Sequence, residues 1–171
     1  MPERSFNCQR CGHCCQGEGG IVMTARDRER LARHLGQDIQ AMLIDCAESA
    51  GGKVRLRAGA DGYCIFFHQG EGCGVHPGRP DICRAWPYFR GNLVDSSSWE
   101  MIQSDCPGVN VAAGHARFVS EGVAYLHEHG LVHKPGPEAP HALVLDGVFV
   151  SVLDGVLAGE LNSDSLRRKD P

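Results

Sequence analysis

Apolar positions recur at helical spacing soon after the chain's first quarter begins. Thr24-Ala25-Arg26-Asp27 sets a hydroxyl three residues before a carboxylate, a capping box that opens a helix. Leu31 and Leu35 lie one turn apart on it, and Gly36 is the stop signal. A second helix is expected from Asp38, because Ile39, Met42, Leu43, Cys46 and Ala47 fall on one face. Gly51-Gly52 then breaks the chain. Val54 and Leu56 alternate with Arg55 and Arg57 in a short strand, and the turn from Gly59 to Gly62 leads into Tyr63-Cys64-Ile65-Phe66-Phe67, expected to pair with that strand as a hairpin.

Further along, Pro80 suits the first turn of a helix through Asp81, Ile82, Cys83 and Arg84, which Trp86-Pro87 ends. Ser97 or Ser98 is expected to cap a short helix carrying Trp99 and Ile102, stopped at Cys106-Pro107-Gly108. Ala112 to His129 reads as a longer helix with Ala116, Val119, Val123 and Leu126 on one face and Gly130 at its end. His127 and His129 fall in its last turn, where the helix dipole favours a cation, so they read as surface residues. Residues 135–140 are a Pro/Gly linker by composition. Two Asp-Gly steps between apolar runs, at 146–147 and 154–155, predict a β-hairpin appendage over 141–162, followed by a polar, frayed tail at 163–171. The expected architecture is α+β and mainly helical, with residues 1–134 as the principal domain.

Composition narrows the function. A length of 171 residues with 42% hydrophobic and 22% charged residues suits one domain with a modest appendage, and a net charge of -4 gives no footprint for binding nucleic acid. No run of about twenty apolar residues occurs, so no spanning helix is expected. The chain reaches Cys8 without the apolar stretch of a secretory signal, and a cytoplasmic location is the expectation.

Cysteine is the outlier. There are nine, and eight form groups: Cys8, Cys11, Cys14 and Cys15, then Cys64, Cys73 and Cys83, then Cys106. Cys46 stands apart on an apolar helix face and reads as a core thiol. In a reducing compartment clustered cysteines bind metal or do redox chemistry more often than they form disulfides. Two cysteines spaced by two residues can turn both sulfurs toward one metal, as in zinc and iron–sulfur sites. The adjacent side chains of Cys14 and Cys15 diverge, so they suit two centres or opposite sides of a polynuclear cluster. Eight thiols would complete two four-thiolate sites, or one with ligands in reserve. His76, at Cys73-x-x-His76, is a further candidate ligand, while His13 and His68 read as hydrogen-bonding neighbours. Arg79 and Arg84 are expected to offset the charge of an all-thiolate site.

With these motifs in order, the sequence resembles the YkgJ-type cysteine-cluster family, known for its Cys-x-x-Cys-x-x-Cys-Cys motif. The matching residues are Cys8, Cys11, Gly12, Cys14, Cys15 and Gly17, then Cys64, Cys73, Arg79-Pro80, Cys83-Arg84, Trp86-Pro87 and Cys106-Pro107-Gly108. His76 departs from the aromatic residue usual before Arg-Pro. The resemblance implies a small bacterial domain that chelates zinc or iron, with a [4Fe-4S] or other iron–sulfur centre among the forms it takes.

The function expected is therefore metal binding through these eight cysteines, with iron–sulfur favoured over zinc. It would serve electron transfer or metal handling, with an unidentified protein as redox partner and neither nucleic acid nor membrane involved. Iron is favoured by the tight knuckle and by Trp86, Tyr88 and Phe89, which follow Cys83 and would exclude water. Two alternatives stand beside it. One is a thiol–disulfide redox protein using Cys8-Cys11 or Cys14-Cys15, although no strand precedes Cys8 as a thioredoxin-like motif requires. The other is a zinc-stabilised interaction module. No phosphate-binding loop, dinucleotide fingerprint or His-Glu-x-x-His occurs, and no independent catalytic activity is expected.

Overall fold

In the computed structural model, Thr24 and Asp27 form the expected reciprocal capping box, and helix α1 runs Ala25–Leu35 until Gly36 ends it. The structure describes residues 4–17 and 20–145. Among these the chain forms two compact units: residues 8–17, 20–86 and 133–144 in one, and 4–7, 87–132 and 145 in the other.

In the first unit, α1 is followed by helix α2 (Ile39–Cys46), with the Asp38 side chain accepting from the backbone N–H of Gln40. Ala47 leaves the helix and begins strand β1 (Ala47–Ala50), which pairs antiparallel with β2 (Lys53–Leu56). This corrects the expected pairing. Ala50 faces Lys53, so Gly51-Gly52 is a two-residue hairpin turn rather than a break. Both glycines hold positive φ, 58° and 74°, as the primed turns that match strand twist require. The stretch 63–67 meets β2's continuation only through an isolated bridge of Ala58 with Cys64. A second small hairpin joins β3 (Phe67–His68) to β4 (Gly72–Cys73).

Helix α3 (Asp81–Ala85) starts after Pro80, as its sequence signals predict. The core of this unit gathers Met23, Leu31, Met42, Cys46, Leu56 and Val75, so Cys46 is the buried structural thiol expected of it. The Pro-rich segment packs on the same unit: Ala139 and Pro140 are buried, Lys53 Nζ donates to the Ala139 carbonyl at 2.9 Å, and Arg28 pairs with Glu138 at 3.0 Å.

The second unit holds α4 (Arg90–Val94), α5 (Ser96–Asp105) and α6 (His115–Glu128). Asp95, not a serine, caps α5: its carboxylate accepts from the Ser98 backbone and hydroxyl, and a carboxylate offers a stronger acceptor than a hydroxyl. Residues 111–113 form a 3₁₀ turn, so α6 begins three residues later than its apolar period suggests. Its buried face carries Ala116, Phe118, Val119 and Leu126, while His127 and His129 are exposed as expected. Fully buried Ser5 donates its backbone N–H and hydroxyl to Glu121, both at 2.8 Å, fixing the segment before Cys8 to α6.

Among the described residues the architecture is α+β with helices predominant and two two-stranded sheets. Residues 141–143 form a 3₁₀ turn instead of opening a strand, and the expected Asp-Gly hairpins and frayed tail lie outside the described residues. Among the described residues no helix is long and apolar enough to cross a membrane.

Candidate metal centre

The first cysteine group takes its shape from backbone geometry that few residues tolerate. Arg10 (φ 56°) and Gly12 (φ 86°) are left-handed, and a 3₁₀ turn over His13–Cys15 follows, with the Cys15 N–H on the Gly12 carbonyl at 2.8 Å. Phe67 packs so closely on Gly12 that a Cβ there would fall 2.3 Å from its ring. Phe67 in turn stacks on Tyr63, with ring centroids 4.8 Å apart.

Backbone bonds then bring the later cysteines to this knuckle. The Cys64 N–H donates to the Cys15 carbonyl at 2.7 Å, and Gly17 N–H to the Gly62 carbonyl at 2.9 Å. The β3–β4 hairpin sets Cys73 opposite Phe67. Cys83 arrives on the first turn of α3, its N–H on the Pro80 carbonyl at 3.0 Å.

Five thiols consequently line one cavity of about 30 Å³: Cys14, Cys15, Cys64, Cys73 and Cys83. Arg79 contributes the cationic side chain of its wall, and Ile21, Leu56, Val75 and Pro80 complete it. A single water needs roughly 10–15 Å³, so the space is about that of two or three waters.

The remaining expected ligands lie elsewhere. Cys8 and Cys11 are exposed and do not line this cavity, and Cys106 is buried within the second unit. No disulfide joins any of the nine cysteines. His76 contacts the Arg79 guanidinium through Nε2 and is not part of the wall. Because a guanidinium only donates, that ring nitrogen accepts, and burial with Arg79 and Arg10 nearby depresses the histidine's pKa. His13 and His68 are exposed. Arg84 pairs with Asp81 at 3.2 Å, leaving Arg79 as the guanidinium at the cavity.

Electrostatics separate the five thiols. A hydrogen bond from Cys15 lowers Cys14 to about 7, with Arg79 assisting against the opposing effect of burial. Cys15, whose proton is held in that bond, is pushed far up. Burial raises Cys64, Cys73 and Cys83, most of all Cys83, where the neighbouring thiols add to it. Two opposing contacts have the same form: the Phe66 amide hydrogen-bonds to the Cys64 sulfur, and the Val75 amide to the Cys73 sulfur. In each case the donor is two residues beyond the cysteine. Such bonds favour the thiolate over the thiol.

The model of the CxxCxxCC family, described as a putative zinc- or iron-chelating domain, matches residues 7–107, more than half of the chain. The chain belongs to this family. The CxxCxxCC pattern falls on Cys8, Cys11, Cys14 and Cys15, and the match also spans Cys64, Cys73, Cys83 and Cys106. It supports metal binding and leaves zinc and iron equally open. No curated protein and no solved structure matches the chain.

The residues fit such a metal by donor chemistry. Soft thiolates suit zinc and iron–sulfur centres, and here they meet no competing carboxylate or imidazole in the cavity wall. Among the described residues no group of three or more His, Cys, Asp or Glu side chains could hold a metal ion as it stands, so the thiols ring the cavity without converging on one point. Ligation requires the thiols to give up protons, and the raised Cys15, Cys64, Cys73 and Cys83 hold theirs in the metal-free state.

Sequence reasoning missed the carboxylates behind this wall. Asp27 and Asp81 are fully buried; Arg30 reaches both, and Arg26, Arg84 and His133 contact Asp81. Asp27 was legible only as a helix cap, because its second role depends on a partner 54 positions away.

Proposed function

We propose that the protein binds metal through the thiols of Cys14, Cys15, Cys64, Cys73 and Cys83, with an iron–sulfur cluster favoured over zinc. The observation that carries this reading is the gathering of five cysteines, from four separate stretches of chain, around one small cavity whose other walls are apolar apart from Arg79. The adjacent Cys14 and Cys15, whose side chains diverge, suit opposite sides of a polynuclear centre better than one ion. Cys8, Cys11 and Cys106, the rest of the eight-cysteine set, are reserve or additional ligands in this reading.

Within this reading Arg79 offsets the negative charge of clustered thiolates, and the Phe66 and Val75 amides stabilise the sulfurs of Cys64 and Cys73. A bound cluster would supply a one-electron store, in electron transfer or metal handling, and zinc would supply a cross-link. Arrival and departure of an electron would require an unidentified redox partner.

One observation favours a second reading. Cys14, lowered to about 7 and hydrogen-bonded to Cys15, has the reactive thiolate that thiol–disulfide exchange uses. A disulfide between adjacent cysteines closes a strained ring, which places this reading second.

Anaerobic purification of the full chain followed by iron, zinc and acid-labile sulfide analysis and a visible spectrum separates the readings. Iron with sulfide and a broad visible absorption is the expected result. Zinc in a colourless protein without sulfide removes the cluster. A folded protein that takes up neither metal, with a Cys14–Cys15 disulfide that forms under mild oxidant and reopens under a dithiol reductant, establishes the second reading instead.

A further inference from the structure

One face of α1 is polar where it meets the segment leading to Cys83. Asp27, Arg30 and His34 lie at i, i+3 and i+7 on that helix, and each touches a successive part of residues 78–81. The Asp81 backbone N–H donates to Asp27 Oδ1 at 2.9 Å. Arg30 donates to the Arg79 carbonyl twice, from Nε at 3.2 Å and Nη2 at 3.1 Å. Gly78 lies so close to His34 that a Cβ there would fall 2.5 Å from the histidine's own Cβ.

The Arg30 guanidinium also contacts Asp27 Oδ1 and reaches Asp81 Oδ1 at 2.8 Å, so one side chain joins two buried carboxylates and a main-chain carbonyl. Buried ion networks give little net stability over an apolar packing of equal volume, because desolvation offsets the attraction. What they specify is geometry. The geometry fixed here is the backbone of Arg79-Pro80-Asp81, which carries Arg79 and Pro80 into the cavity wall and sets the start of the helix that presents Cys83.

We infer that Asp27 and Arg30 form a positioning clamp that holds Cys83 and Arg79 at the thiol cavity. They act through the backbone of residues 79–81, without themselves facing the cavity. The inference rests on the metal-binding reading for its purpose, and on the hydrogen bonds alone for its geometry.

The test begins with the metal-free full chain. Arg30→Lys keeps the positive charge between the carboxylates but removes the fork that grips the Arg79 carbonyl. Native alkylation with iodoacetamide, read cysteine by cysteine in a mass spectrometer, is expected to label Cys83 about tenfold faster in this variant, as loss of charge-assisted hydrogen bonds frees the segment. Cys64, held through the Cys15 carbonyl, should change less than about twofold, since it shares no partner with the clamp. The second variant, Asp27→Asn, keeps an acceptor for the Asp81 N–H and removes one of the two carboxylate charges that hold Arg30, and it should show a Cys83-selective change of the same direction.

Unchanged labelling of Cys83, an equal rise at Cys64 and Cys83, or general loss of helical circular dichroism in both variants each overturns the clamp. The metal arm is separate. Wild type and Arg30→Lys are loaded with zinc alone and then challenged with a chelator, and faster release from the variant supports the clamp. Wild type that takes up neither zinc nor iron overturns the metal-binding function, while the Cys83-to-Cys64 labelling ratio still decides whether the clamp positions that thiol.

Discussion

Gly12 carries two constraints at once. Its φ of 86° is left-handed, and Phe67 occupies the space a side chain would need. Gly12→Ala is therefore expected to cost about 1–3 kcal/mol from overpacking, with roughly 1–2 kcal/mol more from the left-handed backbone. Urea unfolding of the metal-free protein measures the sum, and metal content per chain should fall in parallel because the knuckle holding Cys14 and Cys15 shifts. Cys46 gives the contrast. It is 6% exposed, packed in the core and absent from the cavity wall, and burial raises its pKa. Cys46→Ala should cost about 1 kcal/mol and leave metal content unchanged, whereas Cys73→Ser should lower it. An equal loss of metal in both would contradict the division of the cysteines into ligands and one core residue. The core place of Cys46 was legible in the sequence because helical periodicity explains it. The further selection of five thiols was not, since spacing along the chain carries no information on which sulfurs reach one cavity.

Among the elements, those written in local chemistry were legible: the Thr24–Asp27 capping box, Asp38 before α2, Pro80 before α3 and the apolar face of α6. The misreadings have physical causes. Helix α4 is a five-residue element without a side-chain cap, too short to establish a period. The strand at Val54 and Leu56 found its partner upstream, because Gly51-Gly52 supplies the closer turn and loop closure favours the shorter connection. That turn yields a prediction. Nothing lies within 4 Å of a Cβ added at Gly51, so a substitution there acts through the backbone alone. Gly51→Asn, the residue primed turns prefer first, should raise stability by about 0.4–1 kcal/mol through a less flexible unfolded chain. Gly51→Val should lower it, because a β-branched side chain resists positive φ. Paired thermal melts of the two variants check the opposite signs.

At the scale of the molecule, regular structure and cysteine chemistry are unevenly distributed. Helices α1 and α2 and the β1–β2 hairpin surround Met23, Leu31, Met42 and Leu56, and α6 buries Phe118, Val119 and Leu126. The cysteine-bearing stretches 8–17 and 64–74 have almost none: a single 3₁₀ turn, two two-residue strands and a few bridges. Such segments bury little apolar surface for each residue ordered, and ordering the backbone costs about 1–2 kcal/mol per residue. Metal ligation contributes folding free energy to the segments that carry the ligands. Removing the metal should therefore act locally. Amide hydrogen exchange before and after chelation is expected to show protection lost over 8–17 and 64–74 and retained over α1 and α6, since local opening follows the regions with fewest buried contacts. Uniform loss of protection across α6 as well would mean that metal supports the whole chain. No change over 8–17 would mean that the knuckle stands on Gly12, Phe67 and the Cys15–Cys64 backbone bond without it.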